Sequence, residues 1–458
     1  MRSMTSDEMA AICGGTTING RASATRFYTD SRSIQSGDCF VAIRGERFDG
    51  HHFLSQAAGA GAALALVDSC GDATEYPPTL PLVEVKNTLT ALQQLACHVR
   101  GEWKIPVVGV VGSNGKTSTK ELVAAALGSV FQTAKTHGNL NNHIGVPLTL
   151  LAVESGHEAA VVEMGTNHPG EIAALGRIVR PTVAVVTNIG AEHLEFFVDE
   201  AGVAYEEGSV LEFLDEGGVA VLNADDMWTK KLRTRTCGRV IEVGHAPHAD
   251  VRIERWEATP EGQRWEAVCG GERQIFEVPL VGMHMASNAA LAVGAGLALG
   301  ISMAEMARGL AGVALPGGRM RVLRRNGITV IDDSYNANPS SMEAALRHLA
   351  SMPGRRLAVL GTMGELGDDV ANWHMRMGRV ARECGADKIL VVGSHVADYL
   401  RGAGVGAGAM AFSDTDEVSS FLQENMREGD VVLLKASRSA RFENILKNLN
   451  WEEAACGH

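Results

Sequence analysis

The chain has 458 residues, more than one ordinary domain holds, so its length sets an expectation of about three domains. Hydrophobic residues make up 45% and charged residues 21%, the balance of a folded chain rather than a disordered one. Lys and Arg number 41 against 54 Asp and Glu, a formal charge of −13, which opposes non-specific binding to nucleic acid or anionic membrane and leaves room for a local phosphate pocket. The eight cysteines (Cys13, Cys39, Cys70, Cys97, Cys237, Cys269, Cys384 and Cys456) include no CxxC pair, so neither a zinc site nor a disulfide framework is expected. Met1 to Ala10 carries acidic residues where a signal peptide is apolar, and no apolar run is long enough to cross a bilayer. A soluble cytoplasmic protein is the expectation.

The expected fold class is α/β. In the first hundred residues Cys39 to Ile43 is a short apolar run, and a polar Gly-rich segment follows from Gly45 to His51. Ala57 to Gly61 ends a helix, Ala63 to Val67 and Leu82 to Val85 read as strands, and Thr88 to Arg100 places Leu89, Leu92, Leu95, Ala96 and Val99 at helical spacing. Gly101 to Lys104 is a connection, and a second domain opens with the strand Val107 to Val111. Ala159 to Glu163, Val183 to Thr187 and Val219 to Asn223 are further strands alternating with helices, the pattern of a mostly parallel sheet. Val251 to Val278 alternates differently and predicts antiparallel strands, and Asn288 to Gly300 predicts a helix. The Leu315-Pro316-Gly317-Gly318 turn is the next linker. Beyond it Ile328 to Asp332, Leu357 to Leu360, Ile389 to Val392 and Val431 to Leu434 repeat the βα rhythm, Rossmann-like but without GxGxxG after the first strand. The resulting division is 1–102, 103–315 and 316–458.

The sharpest chemical signal is Gly112-Ser113-Asn114-Gly115-Lys116-Thr117-Ser118, directly after a strand and ahead of a helix. Glycines let backbone N–H groups turn toward a phosphate, the helix N-terminus adds partial positive charge, the lysine reaches the outer phosphates and a hydroxyl can take Mg²⁺. Glu163 ends one strand and His193 follows another, where α/β sheets place their ligands. A carboxylate and an imidazole there are possible ligands for a second Mg²⁺ beside a triphosphate; equally, Glu163 could cap a helix and His193 lie on the surface. Asp332-Asp333-Ser334-Tyr335-Asn336-Ala337-Asn338-Pro339 can cap a helix starting near Pro339, and a carboxylate there can also take ribose hydroxyls. Lys435-Ala436-Ser437-Arg438-Ser439-Ala440-Arg441 is a basic strand–helix turn, either solvated or suited to a carboxylate or phosphate.

In this order these segments resemble the Mur ligases, most closely the branch that adds D-alanyl-D-alanine. Asp30-Ser31-Arg32 and Gly45 to His51 are similar to the family's uridine-nucleotide site, Gly112 to Ser118 to its ATP loop, and Gly138 to Pro147 to a segment of that branch, as are Asp332 to Pro339 and Lys435 to Ser439. The resemblance implies three domains: a small one for the UDP substrate, a central one for ATP, and a Rossmann-like one that brings the amino substrate. It implies an ATP-dependent ligase that phosphorylates the terminal carboxylate of a UDP-muramoyl tripeptide and lets the amine of D-alanyl-D-alanine displace phosphate. Its substrates are small molecules, its cofactors ATP and Mg²⁺, and a monomer is expected.

The resemblance also implies roles residue by residue. Gly112 to Ser118 cradle ATP, Lys116 neutralises the γ-phosphoryl group, and Thr117 holds Mg²⁺. Glu163 and His193 hold or orient a second ion, and Asn288, Arg319 and Asp333 contact ATP, Asp333 at the ribose. Ser31, Arg32, Asn141, Asn142, Lys435, Ser437 and Arg438 bind substrate. Three positions depart from the family pattern. Met285 stands for the first Asn of H-N-x-x-N, the P-G-R turn carries an extra glycine, and Glu207-Gly208-Ser209 replaces K-G-E. The family's carbamylated lysine is absent, and Glu207 is expected to supply its negative charge. A folylpolyglutamate synthase, another amino-acid-adding relative and an NTP-hydrolysing switch are the rival readings; the Asp332 to Pro339 segment and the substrate-like domains on both sides of the ATP loop disfavour them.

Overall fold

The central strands are runs rich in Val, Leu and Ala, flanked by more polar edge strands, and they assemble into three principal sheets. A computed structural model of the chain describes residues 3–45, 48–68, 77–259, 261–404, 406 and 408–451. Glu46 and Arg47, inside the Gly45 to His51 segment, lie outside the described residues, as do Met1, Arg2, Cys70 and Cys456.

The first sheet has five strands in the order Thr16–Ile18, Leu82–Val85, Leu64–Asp68, Cys39–Val41 and Phe27–Tyr28, parallel except for its first edge. The Thr88–Glu102 helix follows, started by Asn87, whose side chain accepts from the Thr90 N–H at 2.8 Å. Near its end Arg100 is buried, and its guanidinium donates to the Val179 carbonyl (2.7 Å), the Arg180 carbonyl (2.5 Å) and the Asp215 carboxylate (2.8 Å). The first unit is thereby tied to the second.

The second sheet has nine strands. The Val107–Val111 strand lies between Val183–Val186 and Ala159–Glu163, all parallel, and Thr133–Lys135 adds the edge beyond Ala159–Glu163. On the other side Val219–Asn223, Arg239–Gly244 and Val251–Thr259 continue in parallel. Gly262–Cys269 and Glu272–Val278 then pair antiparallel, as their alternation predicts. Thr133–Lys135 and Arg239–Gly244 are additions to the strands expected from sequence. The expected Asn288 to Gly300 helix runs from Met283 to Ala298 and packs against the Lys116–Leu127 helix.

The third sheet orders its strands Arg321–Arg325, Ile328–Asp332, Asp430–Lys435, Arg355–Gly361, Lys388–Val392 and Ala409–Phe412. All pairs are parallel except the hairpin between the first two. The Pro339–Ser351 helix starts with Asn338, whose side chain accepts from the Ser341 N–H at 2.9 Å, and with Pro339 in its first turn. This is the helix start that the sequence of the segment predicts. One apolar core fills a face of the nine-stranded sheet and continues into the third unit, through Val108, Leu122, Ala289, Met342 and Leu433. A second joins the opposite face to the first unit, through Leu95, Val111, Val162 and Leu222. Among the described residues no helix is long and apolar enough to cross a membrane.

Candidate active site

Parallel strands deliver their loops to one edge of a sheet, and here two such edges face each other. Between them lies a cleft of about 1140 Å³, lined from the nine-stranded sheet by Ser113 to Ser118, Glu163, Glu192 and His193 and from the six-stranded sheet by Arg319, Asp333 and Lys435.

The Gly112 to Gly115 turn is shaped by its glycines. Gly112 has φ +122° and Gly115 φ +78°, the region that glycine enters without penalty. Close packing adds a second constraint. A Cβ on Gly112 would collide with Thr187 Oγ1, and one on Gly115 would lie 2.8 Å from Asn288 Nδ2. Asn288 thus presses on the turn. The helix then begins at Lys116, and its first residues, Lys116 to Ser118, line the cleft.

Lys116 folds back over this turn, donating to the Gly112 carbonyl at 2.5 Å and the Ser113 carbonyl at 3.3 Å. Its Nζ lies 3.6 Å from Glu192 Oε2 and 3.8 Å from Glu207 Oε1. Burial alone would lower its pKa, but the Glu192, Glu207 and Glu163 carboxylates outweigh it and raise the ammonium above its ordinary value. Glu207 is fully buried, and its Oε2 accepts from the Gly112 N–H at 2.9 Å. It sits beneath the loop rather than on the wall of the cleft. Burial pushes the carboxyls of both neighbours upward, Glu192 to about 8. One oxygen each of Glu163, Glu192 and Glu207 is buried without a hydrogen-bond partner. Such groups are costly unless a cation answers them.

Glu163 is 1% exposed. Its Oε1 accepts from Thr117 Oγ1 at 3.0 Å and from Asn141 Nδ2 at 2.8 Å, so it caps no helix. Its Oε2, the unpartnered oxygen, lies 4.0 Å from the buried Lys120 ammonium, which donates to the Thr136 and Gly138 carbonyls and fixes the segment leading to Asn141. A carboxylate with a free oxygen beside a threonine hydroxyl fits Mg²⁺, which takes one or two protein ligands and completes its shell with phosphate and water. His193 also lines the cleft and is not a surface histidine; its Nδ1 lies 2.5 Å from Glu365 Oε2 and its Nε2 4.0 Å from Glu192 Oε2.

Across the cleft Arg319 reaches back to Thr117, donating to its hydroxyl at 3.3 Å, with its guanidinium 3.7 Å from the centre of the Tyr335 ring. Lys435 is 2% exposed, pairs with Asp333 at 2.5 Å and donates to the Asn336 carbonyl, whereas Arg438, Ser439 and Arg441 of the same turn are exposed. Asp333 Oδ1 accepts from the Met320 N–H. Ser437 and Arg438 line the same wall, and Asn142 lies beside Asn141. Ser31 and Arg32 are elsewhere. They lie on a short helical turn of the first unit, where Ser31 donates to Gln56 and Arg32 pairs with Asp30.

Sequence reading gave no role to Lys120, Glu192, His284 or Glu365. His284 and Glu192 adjoin segments already singled out, so their place after a strand or at a helix start was a usable signal. Lys120 and Glu365 acquire their partners only through the fold.

Three family models match the chain: the Mur ligase family, catalytic domain, over residues 25–100; the Mur ligase middle domain over 110–296; and the Mur ligase, glutamate ligase domain over 318–438. The chain is 36% identical over 463 residues to the UDP-N-acetylmuramoyl-tripeptide–D-alanyl-D-alanine ligase of Escherichia coli (strain K12), covering 100% of both. It is 35% identical to the ligase of the same name from Bacillus subtilis (strain 168), covering 96% of this chain and 97% of the relative. Among solved structures it is similar to MurF from Acinetobacter baumannii, with TM-score 0.91, 31% identity and coverage of 99% and 100%. It is also similar to MurF ligase from Thermotoga maritima in complex with ADP, with TM-score 0.83, 29% identity and coverage of 93% and 97%.

Proposed function

The chain belongs to the Mur ligase family, and from that premise we propose that it joins D-alanyl-D-alanine to a UDP-N-acetylmuramoyl-tripeptide, driven by ATP. The observation that carries this reading is the cleft in which a phosphate loop and an acidic, Thr-bearing floor face Arg319, Asp333 and Lys435 of a second α/β unit. Gly112 to Ser118 cradle the triphosphate. Thr117 would hold one Mg²⁺, Glu163 and His193 would hold or orient a second, and the metal would supply neutralisation of the phosphate oxygens. Asn288 and Arg319 contact ATP, and Asp333 takes its ribose.

A carboxylate is a poor electrophile, so the tripeptide's terminal carboxylate first attacks the γ-phosphorus, and ADP leaves. The amine of D-alanyl-D-alanine then adds to the acyl carbon, loses a proton, and expels phosphate. Lys116 neutralises the transferring group, and Glu207, which accepts from the Gly112 N–H, keeps that lysine charged and held above the turn. Glu207 stands in for the family's lysine carbamate, an anion that needs no CO₂. Asn141, Asn142, Lys435, Ser437 and Arg438 position the two peptide substrates, and Ser31 and Arg32 the uridine nucleotide.

The units divide as 1–102, 103–315 and 316–458, and the protein acts as a monomer in the cytoplasm on precursors of peptidoglycan. Mass spectrometry of the product formed from ATP, D-alanyl-D-alanine and each UDP-tripeptide, ending in lysine or in diaminopimelate, tests the reading. A pentapeptide product is expected. With ¹⁸O in the tripeptide's terminal carboxylate, the released phosphate carries label; unlabelled phosphate rejects the acyl phosphate.

A further inference from the structure

Two left-handed residues meet across the cleft. His193 has φ +47° and Glu365 φ +60°, conformations that non-glycine residues hold only where their surroundings impose them. His193 belongs to the nine-stranded unit and Glu365 to the six-stranded one, and His193 Nδ1 lies 2.5 Å from Glu365 Oε2, an ion-pair distance at an angle that makes no regular hydrogen bond, with no other partner for this buried nitrogen.

The Glu365 loop is braced from behind. His374, fully buried, must donate from Nδ1 to the Val370 carbonyl (2.7 Å), because that oxygen can only accept. Its Nε2 is therefore the acceptor for the Met363 N–H at 2.9 Å. Met363 and Leu366 are buried on either side of Glu365. Gly367, with φ +62°, runs against the segment after His193: a Cβ there would lie 3.6 Å from Glu195 Cα. The loop presents one carboxylate, and its target is one ring nitrogen.

We propose that Glu365 is a positioning residue for His193, engaging Nδ1–H so that the unprotonated Nε2 is the nitrogen left to the phosphate cleft. Nε2 already points that way, 4.0 Å from Glu192 Oε2. Imidazoles that serve phosphate or metal are commonly set by such a carboxylate on the other nitrogen. Here the carboxylate comes from a different α/β unit. Docking of the third unit therefore sets the tautomer of a group on the second, and the ATP site is complete only when the two are together. The role assigned to Nε2 rests on the proposed ligase reading; the pairing itself does not.

The test separates the two. The full chain, labelled with ¹⁵N in histidine and free of nucleotide and metal, is examined at pH 8.5 by long-range ¹H–¹⁵N correlation, with His193 assigned through His193→Gln. The wild type shows His193 as the Nδ1–H tautomer. Glu365→Ala moves it toward the Nε2–H form favoured by a free imidazole, leaves the other histidines unmoved and lowers kcat about tenfold with little change in the KM for ATP. Glu365→Gln, whose amide oxygen still accepts, restores most of both. An Nε2–H tautomer in the wild type, an unchanged His193 tautomer in Glu365→Ala, or wild-type kcat in that variant overturns the proposal. A chain that makes no pentapeptide would refute the ligase reading while the tautomer result still stood.

Discussion

The two sheets that face each other across the cleft are wound alike and equipped in opposite ways. On the nine-stranded side the first loop offers backbone, turned outward at Gly112 and Gly115, over a floor of carboxylates with unpartnered oxygens. On the six-stranded side the corresponding loop offers side chains already matched to one another, Lys435 to Asp333 and Arg319 to the face of Tyr335. The carboxylates of the first wall face lysine ammonium groups at 3.6 to 4.0 Å, while Asp333 and Lys435 of the second wall pair at 2.5 Å. Substitutions on the first should therefore cost rate, and substitutions on the second should cost stability and nucleotide affinity.

The strongest way to break this contrast is Lys116→Ala. Removing the one preorganised charge over the turn should lower ligation by roughly 10²-fold or more while the melting curve keeps its cooperative shape. Phosphate release measured beside circular dichroism checks it, and near-normal turnover would remove the loop from the chemistry. Glu207→Gln comes next. The amide can still accept from the Gly112 N–H but no longer charges Lys116, so a loss of about tenfold in kcat is expected, equivalent to about 1.4 kcal/mol. The wild type assayed in bicarbonate-free buffer should gain nothing from added bicarbonate; a gain would mean that a carbamate forms somewhere after all.

Asp333→Ala probes the second wall. It leaves Lys435 buried without its anion, which should destabilise the chain by about 3 kcal/mol in denaturant titration and raise the KM for ATP several-fold with a smaller change in kcat. A kcat effect as large as that of Lys116→Ala would erase the distinction between the walls. The smallest effect is expected from His284, on the helix between them. Burial lowers its pKa to about 4, below its ordinary value near 6.5. The folded state thus prefers the neutral ring, and the stability this contributes is present above pH 6.5 and lost as pH falls from there through 4. His284→Gln cannot gain that proton, so its melting temperature should fall less steeply than that of the wild type over the same interval.

The two walls also differ in how readily their sequences disclose them. Val107–Val111, Ala159–Glu163, Val219–Asn223 and Ile328–Asp332 are apolar runs stopped by a glycine, an acid or an amide, and their bounds agree with the strands observed. The glycines of the Gly112 to Gly115 turn are visible because their spacing is local. Arg321–Arg325 escaped notice because its composition is that of a solvated edge, and its pairing with Ile328–Asp332 hides only one face. Thr133–Lys135 is three residues long, too short for a period. The departures at Glu207 and Met285 were legible as substitutions, yet the burial of Glu207 beneath Gly112 is a tertiary fact. So is the approach of Glu365 to His193, two residues whose neighbours in sequence say nothing of each other.

Arg100 gives the architecture an order in time. Its guanidinium, at the end of the first unit, is buried against the carbonyls of Val179 and Arg180 and the carboxylate of Asp215. On a ribosome the first unit emerges long before those partners exist. The 113 residues from Trp103 to Asp215 take about 6 to 23 s to synthesise at ≈ 5–20 residues per second. Through that interval the C-terminal turn of the Thr88–Glu102 helix has a cation with nowhere dry to go, so it stays hydrated and frayed. The first unit sets fully only when the second closes over it, and a nascent chain stalled before Asp215 should remain open to proteolysis at that helix end.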